Sequence, residues 1–186
     1  MGVASQSCAD EAAIRLPAGF KLTKFADSKT KNGSLLSGAR FMAFDANGNL
    51  FVSAASGDKV LMLSDANKDG IADEVVIVAQ DLNAPQGLAF VGNDLLVANQ
   101  DGVVKLRQVN GGWSKPQPFI SRLPTGGHTL KTIKLGPDGY LYINVGSSCN
   151  VCVENDPLRA TILRYTLEGK PAGALVTMGR HQQSAI

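Results

Sequence analysis

Three stretches decide the fold: FMAFDANGNLFVSA (41–54), GLAFVGNDLLVAN (87–99) and TIKLGPDGYLYINVG (132–146). Each is a short apolar run, a tight turn rich in Asn, Asp and Gly, and a second run of β-branched and aromatic residues, so each reads as a β-hairpin. Superposing Leu50, Leu95 and Leu141 gives intervals of 45 and 46 residues, close to the roughly 40–50 residues of one four-stranded propeller blade. Third strands are expected at KVLML from Lys59, VVKL from Val103 and ATILRY from Ala160. Fourth, outer strands are expected at VVIVA from Val75, PFIS from Pro118 and ALVTM from Ala174. Helical periodicity is weak throughout, and Gly and Pro recur too often for long helices. The expected fold is all-β: about three four-stranded β-propeller blades, half of a six-bladed ring, near 39–83, 84–125 and 126–178, followed by the start of a fourth. Residues 1–15 are expected to form a mobile tail, GFKLTKFA from Gly19 one further strand, and SKTKNGS from Ser28 a loop.

Composition narrows the function classes. The 186 residues carry 18 Lys and Arg against 16 Asp and Glu, a net charge of +2. Such a balance provides no basic surplus for gripping phosphates, so a nucleic-acid partner is not expected. The longest apolar runs, Val75 to Ala79 and the stretch around Leu95 to Ala98, fall far short of the roughly 20 residues of a membrane helix. No secretory signal is visible at the start MGVASQSCADEAA, which lacks a basic and an apolar region. Cys149 and Cys152 are spaced CxxC and Cys8 stands apart. The spacing leaves open a local disulfide, reduced structural thiols, and redox or metal use. A second CxxC, needed for a four-thiolate zinc site, is absent from the sequence.

The segment DANKDGIADE presents Asp65, Asn67, Asp69, the Ile71 carbonyl and Asp73 at alternating positions, with Gly70 at the sharp turn. This is the spacing of a calcium loop. Val76 stands at the twelfth position, where a bidentate glutamate is expected. The alternative is a metal-free turn whose Asp and Asn side chains bond their own backbone.

LPAGF (16–20) and the stretch GGHTLKTIKLGPDGYLYINVGSSCNVCVENDPLRATILRYTLEGKPAG from Gly126 resemble the soluble glucose dehydrogenase and sorbosone dehydrogenase family. The resemblance runs from about Leu16 to Gly179 and is most specific around His128 and SSCNVC (147–152). It implies a six-bladed propeller that uses pyrroloquinoline quinone and calcium to oxidise a sugar, of which this chain supplies the N-terminal half. It implies His128 as the base that removes the sugar hydroxyl proton, a role suited to imidazole near neutrality. It implies a cofactor-contacting amide at Gln86, beside a Gly87 that permits close approach. The family's Arg-Asn pair falls on GRHQQSAI, where Arg180 and His181, or His181 and Gln182, stand according to frame. Neither frame reproduces the pair, and a neutral side chain cannot replace the charged fork of an arginine.

A periplasmic or secreted location is expected. Three blades leave strand edges and apolar faces uncovered, so the chain is expected to be part of a longer protein, to pair as a homodimer completing the ring, or to be unstable and association-prone as an isolated half. Two rival functions remain: a non-catalytic half-propeller scaffold, and a calcium-dependent lactonase drawing on Asn99 and Asn144. Asp156, Arg159 and Arg164 offer ion pairs near the CxxC loop, and the single tryptophan, Trp113, offers a packing or sugar-stacking ring.

Overall fold

The computed structural model describes residues 14–177. Three antiparallel sheets follow one another along the chain. The first contains β1 (Ala39–Phe44), β2 (Leu50–Ala54), β3 (Lys59–Ser64) and β4 (Glu74–Ala79), hydrogen-bonded in that order. The second contains β5 (Leu88–Val91), β6 (Asp94–Ala98) and β7 (Val103–Val109), with both β8 (Gly112–Trp113) and β9 (Gln117–Ile120) paired to β7. The third contains β10 (Ile133–Leu135), β11 (Leu141–Val145), β12 (Thr161–Tyr165) and β13 (Pro171–Thr177).

All three repeat hairpins form where the alternation places them, and their turns are held by local chemistry. In the first, Asp45 Oδ1 accepts the amides of Asn47 at 2.9 Å and Asn49 at 2.8 Å. This is the side-chain-to-backbone bonding that makes Asp a turn former.

The sheets stack face to face in chain order, each face carrying every second residue of its strands. Phe41, Ala43, Phe51 and Val60 of the first sheet meet Leu88, Leu95, Val97 and Leu106 of the second. Leu96, Ala98, Val103 and Ile120 of the second meet Ile133, Leu141, Ile143 and Leu163 of the third. The first strand of the middle sheet, β5, touches both β1 and β10, so the leading strands lie together on one side of the stack. This is the arrangement of propeller blades around an axis.

Gly87 makes that convergence possible. Its amide donates to the Lys131 carbonyl at 3.0 Å, and a Cβ there would stand 2.6 Å from the Ile133 nitrogen and 2.9 Å from the Lys131 oxygen. Backbone atoms cannot rotate away as a side chain can. Gly87→Ala is therefore expected to cost about 1–3 kcal/mol by forcing blades 2 and 3 apart, read as a lower urea midpoint with unchanged slope.

Two expectations at the edges of the fold need correction. Residues 19–26 form no strand. Their alternation finds no complete partner edge: the Phe25 carbonyl accepts the Ala72 amide at 2.7 Å, while Phe20 stays 73% exposed. Phe25 and Ala26 instead pack, with Leu35 and Leu36, on the outer face of the first sheet against Leu50, Val52, Leu61 and Val75. The loop from Ser28 contains a 3-10 helix, Gly33–Leu36, and Lys31 makes an isolated parallel bridge to Glu74. On the same outer face the cover stops short of β1, where Met42 and Phe44 are each 65% exposed.

Candidate functional site

Strand register brings the chemistry to one end of the sheets. The pairs Ala54↔Lys59, Ala98↔Val103 and Val145↔Thr161 put the ends of β2, β6 and β11 beside the starts of β3, β7 and β12. The connections before β5 and β10 arrive at this same end, carrying Gln86 and His128.

His128 is exposed and held from two sides. Its amide donates to the Ser147 carbonyl at 2.9 Å, and its ring Nε2 lies 2.7 Å from Asn150 Oδ1. A carbonyl oxygen only accepts, so with this partner the neutral ring carries its hydrogen on Nε2 and has Nδ1 as its acceptor. Asn150 lies inside the four-residue ring closed by a disulfide between Cys149 and Cys152. Glu154 Oε1 pins the start of that ring by accepting the Ser148 amide at 2.7 Å. The two backbones lie so close that a Cβ on Gly146 would collide with the His128 carbonyl.

Lys131, three residues further on, is a site residue that sequence reading passed over. It is fully buried, and its ammonium donates to three backbone carbonyls: Gln100, Pro124 at 2.8 Å and Thr129 at 2.9 Å. One side chain thus ties the β6–β7 connection of blade 2 to the chain carrying His128. Burial, reinforced by the Arg159 charge and opposed by Asp101, pushes its pKa down from 10.5 to about 8. One signal was available: Lys131 shares strand parity with Ile133, so both point into the sheet interface.

Arg159 fixes the same segment, but not through an ion pair. Its guanidinium donates to the carbonyls of Thr125 and, at 3.1 Å, Gly126. Arg164 likewise donates to the Ala172 carbonyl at 2.9 Å and lies over the Tyr140 ring at 4.6 Å. Asp156 Oδ1 accepts the Leu158 amide at 2.9 Å. These three residues form no ion pairs with one another; each bonds backbone groups instead.

Gln86 sits where blades 1 and 2 meet. Its backbone amide donates to the Ala98 carbonyl at 2.9 Å, and its backbone carbonyl accepts the Ser53 hydroxyl at 2.7 Å. Asn144 is occupied within its blade, where Oδ1 accepts both the amide and, at 2.6 Å, the hydroxyl of Thr132. Asn99 lies apart from it, between blades 1 and 2. Arg180 and His181, and Gln182 after them, lie outside the described residues.

In the loop from Asp65 to Asp73 the acidic side chains turn toward the loop's own amides. Asp65 accepts from Asp69 at 3.1 Å and Gly70 at 2.9 Å, Asn67 from Asp69 at 2.9 Å, Asp69 from Ile71 at 2.8 Å, and Asp73 from Ala66 at 2.8 Å. Among the described residues no group of three His, Cys, Asp or Glu side chains converges as a metal site.

The blades and this cluster define a partial β-propeller with its polar connections gathered at one end. The chain belongs to the DUF7133 family, a domain of unknown function, whose profile matches residues 9–184. No curated protein matches it in sequence. Its structural relatives include PQQ-dependent sugar dehydrogenases, at low identity. The holo PQQ domain of a pyranose dehydrogenase from Coprinopsis cinerea aligns with a TM-score of 0.63 and 20% identity, over 74% of this chain and 35% of that one. The PQQ-bound aldose sugar dehydrogenase of Streptomyces coelicolor aligns at 0.62 and 18%, over 82% and 49%. A gluconolactonase from Xanthomonas campestris aligns at 0.56 and 16%, over 85% and 52%. The chain thus spans from about a third to a half of the length of these structures, and the likeness establishes the fold. No helix among the described residues is long and apolar enough to cross a membrane.

Proposed function

We propose that this chain is part of a quinoprotein sugar dehydrogenase of the pyrroloquinoline-quinone type, with His128 as the base for the sugar hydroxyl. The observation that carries the reading is an exposed imidazole whose Nε2–H is committed to Asn150, at the strand end where the blades' leading strands converge. Beside it the Thr129 hydroxyl oxygen is buried with no hydrogen-bond partner, the kind of orphaned group that a bound ligand satisfies. These residues fit part of a cofactor site, with the side-chain amide of Gln86 as a holding group and the fold relatives as support. A bound quinone supplies a hydride acceptor there, and calcium its polarising charge. His128 accepts the hydroxyl proton at Nδ1 while Asn150 keeps the ring oriented. Arg180 and His181 are proposed as further cofactor contacts; Asp65, Asn67, Asp69, Ile71 and Asp73 keep the alternating spacing of a calcium loop, while the bonds to the loop's own amides favour the metal-free turn.

Adding pyrroloquinoline quinone, calcium, an aldose and an electron-accepting dye to the protein assembled into a complete ring tests the reading. Dye reduction that needs all of them is expected. Hydrolysis of a lactone with calcium alone would replace the reading with the lactonase one, and no quinone uptake would favour a scaffold. The disulfide between Cys149 and Cys152 supports an oxidising, periplasmic or secreted location.

The open face of β1 supports a ring larger than three blades. Met42 and Phe44, each 65% exposed, form an apolar patch of the kind that marks an interface. Self-association through this face is expected, with a solution mass twice the 19.5 kDa of the chain if a second copy closes the ring. Phe44→Lys should return the mass to one chain; unchanged association would place the contact elsewhere.

A further inference from the structure

Between blades 1 and 2 lies a cavity of about 940 Å³, at the upper end of the roughly 300–1,000 Å³ range of small-ligand sites. Its walls come from the end of β4 and the chain after it, the start of β7, β8, and β9 with the residues that follow. Both sides belong to this chain, so the cavity is complete whatever closes the ring.

Four features define what it can hold. Trp113 stands in the wall, half-buried and fixed by edge contacts to Phe51 at 5.5 Å between centroids. Asn99, also in the wall and only 6% exposed, carries an Oδ1 with no hydrogen-bond partner. A buried amide oxygen without a partner is costly, and a ligand that reorganises this amide relieves that cost. The charged residues lining the cavity, Asp81 and Asp101 against Lys115 and Arg122, balance. Equal charge of each sign gives no preference for an anion or a cation, yet it provides both donors and acceptors. Finally, the polar loop is built firmly: the Asn99 backbone N–H donates to the Gly102 carbonyl at 2.8 Å, and the Asp101 backbone carbonyl accepts the Leu123 N–H at 3.0 Å.

An aromatic wall, apolar sides and a charge-balanced set of hydrogen-bonding groups match a neutral polyhydroxylated ring with one apolar C–H face. We infer that the groove between blades 1 and 2 is a binding cleft for a neutral oligosaccharide. This deepens the sugar-acting reading and rests on it for substrate class. The groove runs along β7: the register pair Val103↔Ile120 puts one end of it at the His128 end of the sheets, and the pair Gln108↔Trp113 puts the tryptophan toward the other. The chain then runs from Arg122 in the wall directly to His128. Lys131, bonded to the carbonyls of Gln100 and Thr129, holds the two regions together.

Trp113 is the only tryptophan in the sequence, so tryptophan fluorescence, excited to the red of the tyrosines, reports on this groove alone. Maltotriose and cellotriose are titrated without quinone, followed by fluorescence and by calorimetry, with glucose and glucose 6-phosphate in parallel. A saturable response to at least one trisaccharide is expected, with glucose at least tenfold weaker. Asp101→Ala, at an exposed position, should weaken the trisaccharide about tenfold through loss of one charge-assisted hydrogen bond. The inference is overturned if neither trisaccharide gives a response by either method, if glucose 6-phosphate binds more tightly, or if folded Asp101→Ala binds as the parent does. Dye reduction with glucose but no trisaccharide binding would remove the cleft and leave the dehydrogenase standing. Trisaccharide binding without dye reduction would support the cleft and remove the dehydrogenase.

Discussion

Lys131→Met is expected to lower stability by about 3 kcal/mol, or roughly 10 °C in Tm for a chain of this size. Methionine fills nearly the same space but donates nothing to the Gln100, Pro124 and Thr129 carbonyls that the ammonium serves. Each buried acceptor left without a partner costs about 1–3 kcal/mol. Removing the buried charge offsets part of the loss, since the ammonium itself is costly to desolvate. Urea unfolding at neutral pH checks the balance, and a variant within about 0.5 kcal/mol of the parent would mean that water reaches those carbonyls.

The same lysine gives a pH signature. Its pKa falls from 10.5 to about 8 on folding, so between these values the unfolded chain holds a proton that the folded chain has released. Stability gains from Lys131 as pH rises through that window, by up to about 3 kcal/mol, and the gain is absent below it. The stability gap between parent and Lys131→Met should therefore widen from pH 7.5 to pH 10. A constant gap would show that the three carbonyls hold the proton as firmly as water does.

His128→Ala is expected to lower kcat for sugar oxidation by about 10²–10⁴, the usual share of a positioned general base, without changing the urea midpoint. Asn150 is a positioning residue and should behave differently. In Asn150→Asp the facing oxygen becomes a carboxylate, which favours the protonated imidazole. The acid limb of the pH–rate profile should then move to higher pH while the maximal rate is largely kept. Asn150→Ala should lose rate without that displacement. If Asn150→Asp leaves the profile in place, the contact at 2.7 Å does not govern the base.

The sequence by itself determined the strands, hairpins and blade repeat. Alternation in FMAFDANGNLFVSA and its two counterparts is a local property, and Asp45 closes its turn with bonds to residues within four positions. The interval from Leu50 to Leu95 to Leu141 made each four-strand group a repeating unit. The places of His128 and Gln86 were legible too, because each lies in the connection that leads into the first strand of a repeat; the roles given to them came from the family resemblance. What each of these two touches was not legible.

Tertiary structure alone decided the rest. The alternation of residues 19–26 is as strand-like as many that formed strands, but a strand needs an open partner edge, and only the Phe25 carbonyl found one. β8 contains two residues, too few for any period to register. The pairing of His128 with Asn150, the bond from buried Lys131 to the Gln100 carbonyl and the cavity around Trp113 and Asn99 all join segments distant in sequence. Such contacts depend on how closely the sheets approach one another. Periodicity within one strand specifies which face is buried, and not which atoms of another blade will meet it.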